Sequence, residues 1–270
     1  MDLDLHIHST ASDGFLSPAE VVEAAIDARL DVIALTDHDT VAGVPPAIEA
    51  AAGRSLEVVA ALEVSTTLGD QEFHILGYFV DPFDERLLAH TAEASRRRKS
   101  RMEGMLGRLR EQGIDLSFEA VARRASEDGS LGRPHLAHAM VEAGYVESAP
   151  KAFELYIGNE HPAYLPTRLL EPEEAIRMIR SAGGVSVWAH PPVDRLPELL
   201  PLLVKAGLEG LEVYRPRMSS GRMVRLEEAA RRAGLLVSGG SDWHGPEHGR
   251  LGEFRVKSPE VAGLLSAGGL

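Results

Sequence analysis

The sequence predicts an α/β fold built as a barrel-like sheet and interrupted by a helical insertion. Three observations predict it. Seven short apolar runs recur along the 270 residues, helix start and stop signals lie between most of them, and residues 84–168 break that rhythm with polar, helical sequence.

The seven candidate strands are 3–7, 32–35, 58–64, 73–79, 185–189, 210–214 and 235–238. Ser17-Pro18-Ala19-Glu20 reads as a capping box with proline at the first helical position, ahead of a helix over 21–29. Glu171-Pro172-Glu173-Glu174 opens a second helix, which Ala182-Gly183-Gly184 closes. Strands alternating with helices favour parallel βα units that close on themselves, with the chemistry at the C-terminal strand ends. Residues 84–112 read as one long arginine-rich helix. Shorter helical stretches follow at 117–126, 134–142 and 150–157. The expected division is therefore a barrel from 1–83 and 169–270, with an inserted helical subdomain over 84–168.

Composition narrows the function. There is no cysteine, which excludes disulfides, thiolate ligands and a thiol nucleophile. No apolar run approaches the ~20 residues needed to cross a bilayer. The start Met1-Asp2-Leu3-Asp4-Leu5-His6 lacks a secretory pattern, so a cytoplasmic location is expected and a membrane partner is not. A formal net charge of −13 repels nucleic acid unless positive charge is focused locally, and bound cations could focus it.

The chemistry lies in the histidines and acids. His6 and His8 are two apart in a strand, so both rings face one way, and Asp13 follows in the next loop. The second strand runs into Thr36-Asp37-His38-Asp39. Such a cluster is costly to bury without partners, and one aspartate could simply cap the next helix. Glu63 ends the third strand and could bridge two cations, while His74 lies in the fourth. His190 ends the fifth, Glu212 lies in the sixth, and Ser241-Asp242-Trp243-His244 follows the seventh. Six of the eleven histidines thus fall where a barrel gathers side chains. Nitrogen and carboxylate donors without sulfur suit Zn²⁺, Mn²⁺ or Fe²⁺.

This ordered set resembles the motifs of the PHP (polymerase and histidinol phosphatase) superfamily over nearly the whole chain. The resemblance implies a distorted barrel of seven βα units holding two or three divalent metal ions. It implies ligation of one metal by His6, His8, Glu63 and Asp242, of a second by Glu63, His74 and His190, and of a third by Asp13, His38 and His244. Asp13, His38, Glu63 and Asp242 would then also be catalytic. An aspartate at position 13 and the helical insertion resemble the branch that removes the 3′-phosphate of nucleoside 3′,5′-bisphosphates or trims short RNA from its 5′ end. The alternatives are a histidinol-phosphate-type phosphatase, which a substrate panel would separate, and a non-catalytic metal-binding module; the complete ligand set argues against the module alone. Closely spaced cations can share a hydroxide, which would attack phosphorus in line with the leaving oxygen.

Gly132-Arg133-Pro134-His135 lies in the insertion. Arg133 suits bidentate phosphate recognition, His135 could donate beside it, and the family carries a similar segment near the substrate phosphate. The basic run Arg96-Arg97-Arg98-Lys99-Ser100-Arg101 reads as a solvated face paired with Glu93 and Glu103, with RNA guidance as the alternative. Trp188 and Trp243 read as packing residues. With 5% aromatics, a long stacking platform is not expected, which favours a small nucleotide or short oligonucleotide and no protein partner.

Overall fold

The first strand, β1 (Asp2–Ile7), changes face along its length, and this turns its histidines inward. Its pairing with β2 (Val32–Leu35) is parallel, with a register shift between Asp4 and Ile7. Before the shift Leu3 and Leu5 pack in the interior cluster with Val59, Ala61 and Tyr78. Beyond it Ile7 joins an outer cluster with Ile33 and Leu35. An irregularity of this kind re-aims the side chains that follow it.

The computed structural model describes residues 1–69, 71–123, 129–166 and 170–270. Between β1 and β2 lies α1 (Pro18–Asp27). Its capping box forms as expected, since the Ser17 hydroxyl accepts from the Glu20 amide at 3.3 Å and Glu20 accepts from the Ser17 amide at 2.8 Å. Then come α2 (Val44–Ala51), β3 (Glu57–Leu68) and β4 (Gln71–Tyr78). The helical segment contains α3 (Glu85–Glu111), α4 (Phe118–Ala122), α5 (Arg133–Glu142), α6 (Ala149–Ala152) and a π-helical turn, Phe153–Ile157. The chain returns through α7 (Pro172–Ser181), β5 (Val185–Trp188), α8 (Leu196–Ala206), β6 (Gly210–Tyr214), α9 (Ser220–Ala233), β7 (Leu236–Gly239), β8 (Val256–Lys257) and α10 (Ala262–Ala267). The end of the expected 117–126 stretch and the expected boundary at 168 lie outside the described residues.

The strand order is β7-β6-β5-β4-β3-β2-β1-β8. The sheet curls until Ile7 bridges Trp243 beyond β7, which nearly closes it into a barrel. The expectation of parallel strands holds for β1–β2–β3 and for β5–β6–β7. It fails at β4, which runs antiparallel to both β3 and β5. Leu68 and Gln71 end and start paired strands, and a connection that short cannot carry the crossover that a parallel pair requires. The short β8, which the sequence reading missed, covers the free edge of β1 antiparallel.

Helices α7, α8 and α9 cover one part of the outer face of the sheet through a cluster that includes Ile176, Leu199 and Leu226, and α1 and α2 cover another part of the same face. The helical segment has its own apolar cluster, drawn from Met102 to Ala163, with Met105, Leu109, Leu136 and Met140 at its centre. No helix among the described residues is long and apolar enough to cross a membrane.

Candidate metal centre

Glu63 is the hub of the pocket at the C-terminal ends of the parallel strands; it does not end β3 as expected but lies midway along it, because the strand runs on to Leu68 to pair with β4. It is 1% exposed, and both its oxygens face imidazoles. Oε2 lies 3.4 Å from His6 Nε2, 3.3 Å from His8 Nε2 and 3.1 Å from His38 Nδ1. Oε1 lies 2.9 Å from both His74 Nδ1 and His190 Nε2. Asp242 closes one side, with Oδ1 3.3 Å from His6 Nε2 and 3.4 Å from His8 Nε2. Asp13 closes another, 3.5 Å from His244 Nε2 and 3.9 Å from His38 Nε2. All nine residues predicted from the sequence as ligands therefore meet in one place.

The local chain bends to deliver them. His190 and Asp242 follow β5 and β7 with φ of 34° and 55°, and Asp39 beside His38 also has φ 55°. Non-glycine residues adopt this region at a cost that surrounding structure must hold in place. At the seam between β7 and β1, a Cβ on Gly240 would lie 2.3 Å from the His6 nitrogen, so only glycine fits there.

Supporting carboxylates fix the first strand and its loop. Buried Glu212 takes the His6 Nδ1–H at 2.8 Å on one oxygen and the His190 amide at 2.6 Å on the other. The His6 Nε2 thus faces Glu63 and Asp242. Asp37 accepts from the Ser9 amide, the Ser9 hydroxyl and the Ser12 hydroxyl, each at 2.7 Å, and so shapes the loop that carries Asp13. Asp39 accepts the Ser65 amide at 2.8 Å and pairs with Arg98. Neither aspartate caps α2, whose N-cap is Gly43 without a side-chain bond, so that reading is corrected. Burial pushes Asp4, which accepts from the Ser241 amide at 2.7 Å, up to about 7.

The centre fits cations on its own atoms. Buried His6 Nε2, His8 Nε2, His38 Nδ1, Asp13 Oδ1 and Glu63 Oε2 have no hydrogen-bond partner, which is costly unless something else binds them. Three sets have donor atoms mutually close enough for one ion: His6, His8, Glu63 and Asp242; His8, Asp13, His38 and His244; and His38, Glu63 and His74. The first matches the implied set. In the others His8 joins Asp13, and His38 can side with His74, while His190 stays 3.1 Å from His74 Nδ1. Burial works against charge on His74 and His244, yet the facing carboxylates outweigh it and push both up to about 10. The arrangement thus strongly favours positive charge at its centre.

The insertion residues are placed differently. His135 is buried and lines a cavity of about 330 Å³ with Asp13, His138 and His244. Arg133 makes its contacts elsewhere, donating to Asn159 Oδ1 at 2.7 Å and lying over the rings of Tyr164 and Phe153. Arg96 pairs with exposed Glu93, as expected of a solvated face. Arg98 does not share that fate, being largely buried against Asp39. Trp188 and Trp243 are both buried, as packing residues. The sequence gives no role to Glu212, and it does not reveal the positions that Asp37 and Arg98 occupy. A lone glutamate inside the apolar run Leu211-Glu212-Val213 was the one signal available.

A family model described as the PHP domain matches residues 4–149. The chain is 32% identical over 250 residues to the 5′-3′ exoribonuclease Rnm of Escherichia coli, covering 90% of this chain and 85% of that protein. It is 34% identical over 253 residues to the 3′,5′-nucleoside bisphosphate phosphatase of Chromobacterium violaceum, covering 92% and 89%. The crystal structure of a Bifidobacterium adolescentis protein described as a metal-dependent phosphoesterase superposes with a TM-score of 0.87 at 32% identity, over 98% of this chain and 96% of that one.

Proposed function

The chain belongs to the PHP domain family, and from that premise we propose that it is a metal-dependent phosphoesterase acting on nucleotides or short RNA ends. The observation that carries this is Glu63, buried with both oxygens among five imidazoles and surrounded by unpartnered donor atoms. In this reading His6, His8, Asp13, His38, Glu63, His74, His190, Asp242 and His244 hold two or three divalent cations, with manganese, zinc and iron as candidates. Such cations act as Lewis acids that neutralise phosphate oxygens and acidify water. Two of them already exceed the charge of Asp13, Glu63 and Asp242, so the pocket attracts anions in a protein of net charge −13.

The protein's own groups supply the rest. Glu63 and Asp242 face His6 and His8 across 3.3–3.4 Å, and Asp13 faces His38 and His244 across 3.9 and 3.5 Å. His135 stands at the cavity wall beside Asp13, where a ring N–H would meet a phosphate oxygen. Arg133 and Arg101 both lie over the Tyr164 ring, at 5.2 and 5.4 Å. No carboxylate among the described residues comes within ion-pair distance of either. Burial and the neighbouring Arg133 lower the pKa of Arg101 against the opposing pull of Glu72, so the pair would welcome an anion. This supports Arg133 as a binding residue for a phosphate that is not cut. The helical segment would then be a cap over the barrel, and the setting cytoplasmic.

The deciding experiment measures metal content together with phosphate release from a nucleoside 3′,5′-bisphosphate, a short 5′-phosphorylated RNA and histidinol phosphate. Preference for the first two supports the proposal. Asp242→Ala should abolish turnover and keep the fold, and an unchanged rate would favour a non-catalytic module.

A further inference from the structure

A single peptide unit joins the helical segment to the pocket. The Leu131 carbonyl accepts from Arg98 Nη1 at 3.2 Å, and the Gly132 amide of that peptide donates to His135 Nδ1 at 3.0 Å. Arg98 stands on α3. Its Nε donates to Asp39 Oδ2 at 3.0 Å, and its Nη2 reaches both Asp39 and Ser65 Oγ. Asp39 follows His38, and Ser65 pairs with His74 across β3 and β4. One planar guanidinium therefore spans α3, the loop after β2, strand β3 and the turn before α5. Lysine, with one charged nitrogen, cannot make the same set of bonds.

The consequence falls on His135. A ring nitrogen that accepts an N–H carries no proton, so the neutral ring must carry its proton on Nε2. Burial keeps the ring neutral by lowering its pKa. The two hydrogen bonds on the Leu131–Gly132 peptide reinforce each other, because a carbonyl polarised by a guanidinium makes its amide a stronger donor. The turn also sits tight on the pocket, since a Cβ on Gly132 would lie 3.4 Å from Asp13 Oδ2.

We propose that Arg98 is a positioning residue: it fixes the Leu131–Gly132 peptide so that His135 presents Nε2–H to an oxygen of a phosphate ester in the cavity beside Asp13 and His244. This rests on the phosphoesterase reading, but its first test does not. Without the guanidinium the peptide is free to turn, and His135 can take either tautomer.

The test is ¹⁵N NMR of histidine-labelled, zinc-loaded protein, with the His135 signals identified by their loss in His135→Gln. The expected result is an unprotonated Nδ1 and a protonated Nε2 in the unaltered protein, becoming a tautomer mixture in Arg98→Lys and Arg98→Met. In parallel, kcat/KM for p-nitrophenyl phosphate should fall about 10- to 100-fold in Arg98→Lys. It should fall no further in Arg98→Lys/His135→Gln than in His135→Gln alone, since groups acting through one another are not additive. If Arg98→Met does not fold, Arg98→Lys decides. Unchanged His135 signals, or additive losses, would overturn the proposal. If the unaltered protein hydrolyses no phosphate ester, the functional reading fails, while the NMR comparison still decides whether Arg98 sets the tautomer.

Discussion

Glu212 Oε1 lies 2.8 Å from His6 Nδ1 deep in the sheet, and both residues are fully buried. Its second oxygen holds the His190 amide, so one carboxylate orients side chains from two strands. Partners of this kind commonly govern metal affinity by about 10- to 100-fold when removed. Glu212→Gln can satisfy only one of the two donors and should weaken metal binding by that order, read by chelator competition at constant pH. Glu212→Ala should in addition cost about 1–3 kcal/mol by orphaning both donors. Metal affinity equal to the unaltered protein's in both variants would remove Glu212 from the site.

Gly240 sets how closely β7 approaches β1. A methyl group there would overlap the His6 backbone nitrogen and its Cβ, at 2.3 and 2.4 Å, and the backbone cannot swing aside as a flexible side chain could. Gly240→Ala should destabilise the protein by about 1–3 kcal/mol, in the range of overpacked cores, and should also disturb metal binding through His6. Urea unfolding with and without added metal measures both. A variant as stable as the unaltered protein would mean that the seam between β1 and β7 opens freely.

Much of this centre was legible in the sequence because ligand chemistry and strand ends leave local marks. His6-Ile7-His8 and Asp242-Trp243-His244 each carry donors two apart, and Ser17-Pro18-Ala19-Glu20 announces its helix. What was hidden depends on contacts between distant segments. Glu212 meets His6 across 206 positions, and Arg98 meets Asp39 across 59. Arg98 is chemically indistinguishable from Arg96 and Arg97 until α3 packs down and covers most of one of them. The antiparallel β4 was missed for a different reason. The apolar core of a strand shows no direction, and β3 and β4 extend into the polar residues Ser65, Thr66, Thr67, Gln71 and Glu72.

His135 gives the protein a pH dependence whose sign is fixed by burial. Its pKa is lowered chiefly by burial, with Arg98 and His138 acting the same way and Asp13 opposing them. The native ring thus resists protonation, while the unfolded chain takes up a proton near pH ~6.5. The stability this ring contributes is therefore complete above about 6.5 and is lost as pH falls toward its folded value. The difference in unfolding free energy between the unaltered protein and His135→Gln should be largest at neutral pH. It should shrink by at most ~1.4 kcal/mol per pH unit on acidification. A difference that stays constant from pH 7.5 to about 5 would show that the ring is accessible and ordinary.

Arg133 should discriminate between substrates. Its guanidinium is held by Asn159 and by the faces of Tyr164 and Phe153, and it shares Tyr164 with Arg101, with no carboxylate among the described residues within ion-pair distance. A hydrogen bond to a charged group contributes about 1.5–3 kcal/mol, which corresponds to roughly a 10- to 100-fold change in affinity. Arg133→Met should raise KM for a nucleoside 3′,5′-bisphosphate by that order. It should affect p-nitrophenyl phosphate, which has no second phosphate, far less. The contrast matters because a merely structural arginine would impair both substrates together through loosened packing of α5. Equal losses on the two substrates, or none on either, would place the second phosphate away from Arg133 and leave Arg101 as the residue to alter next.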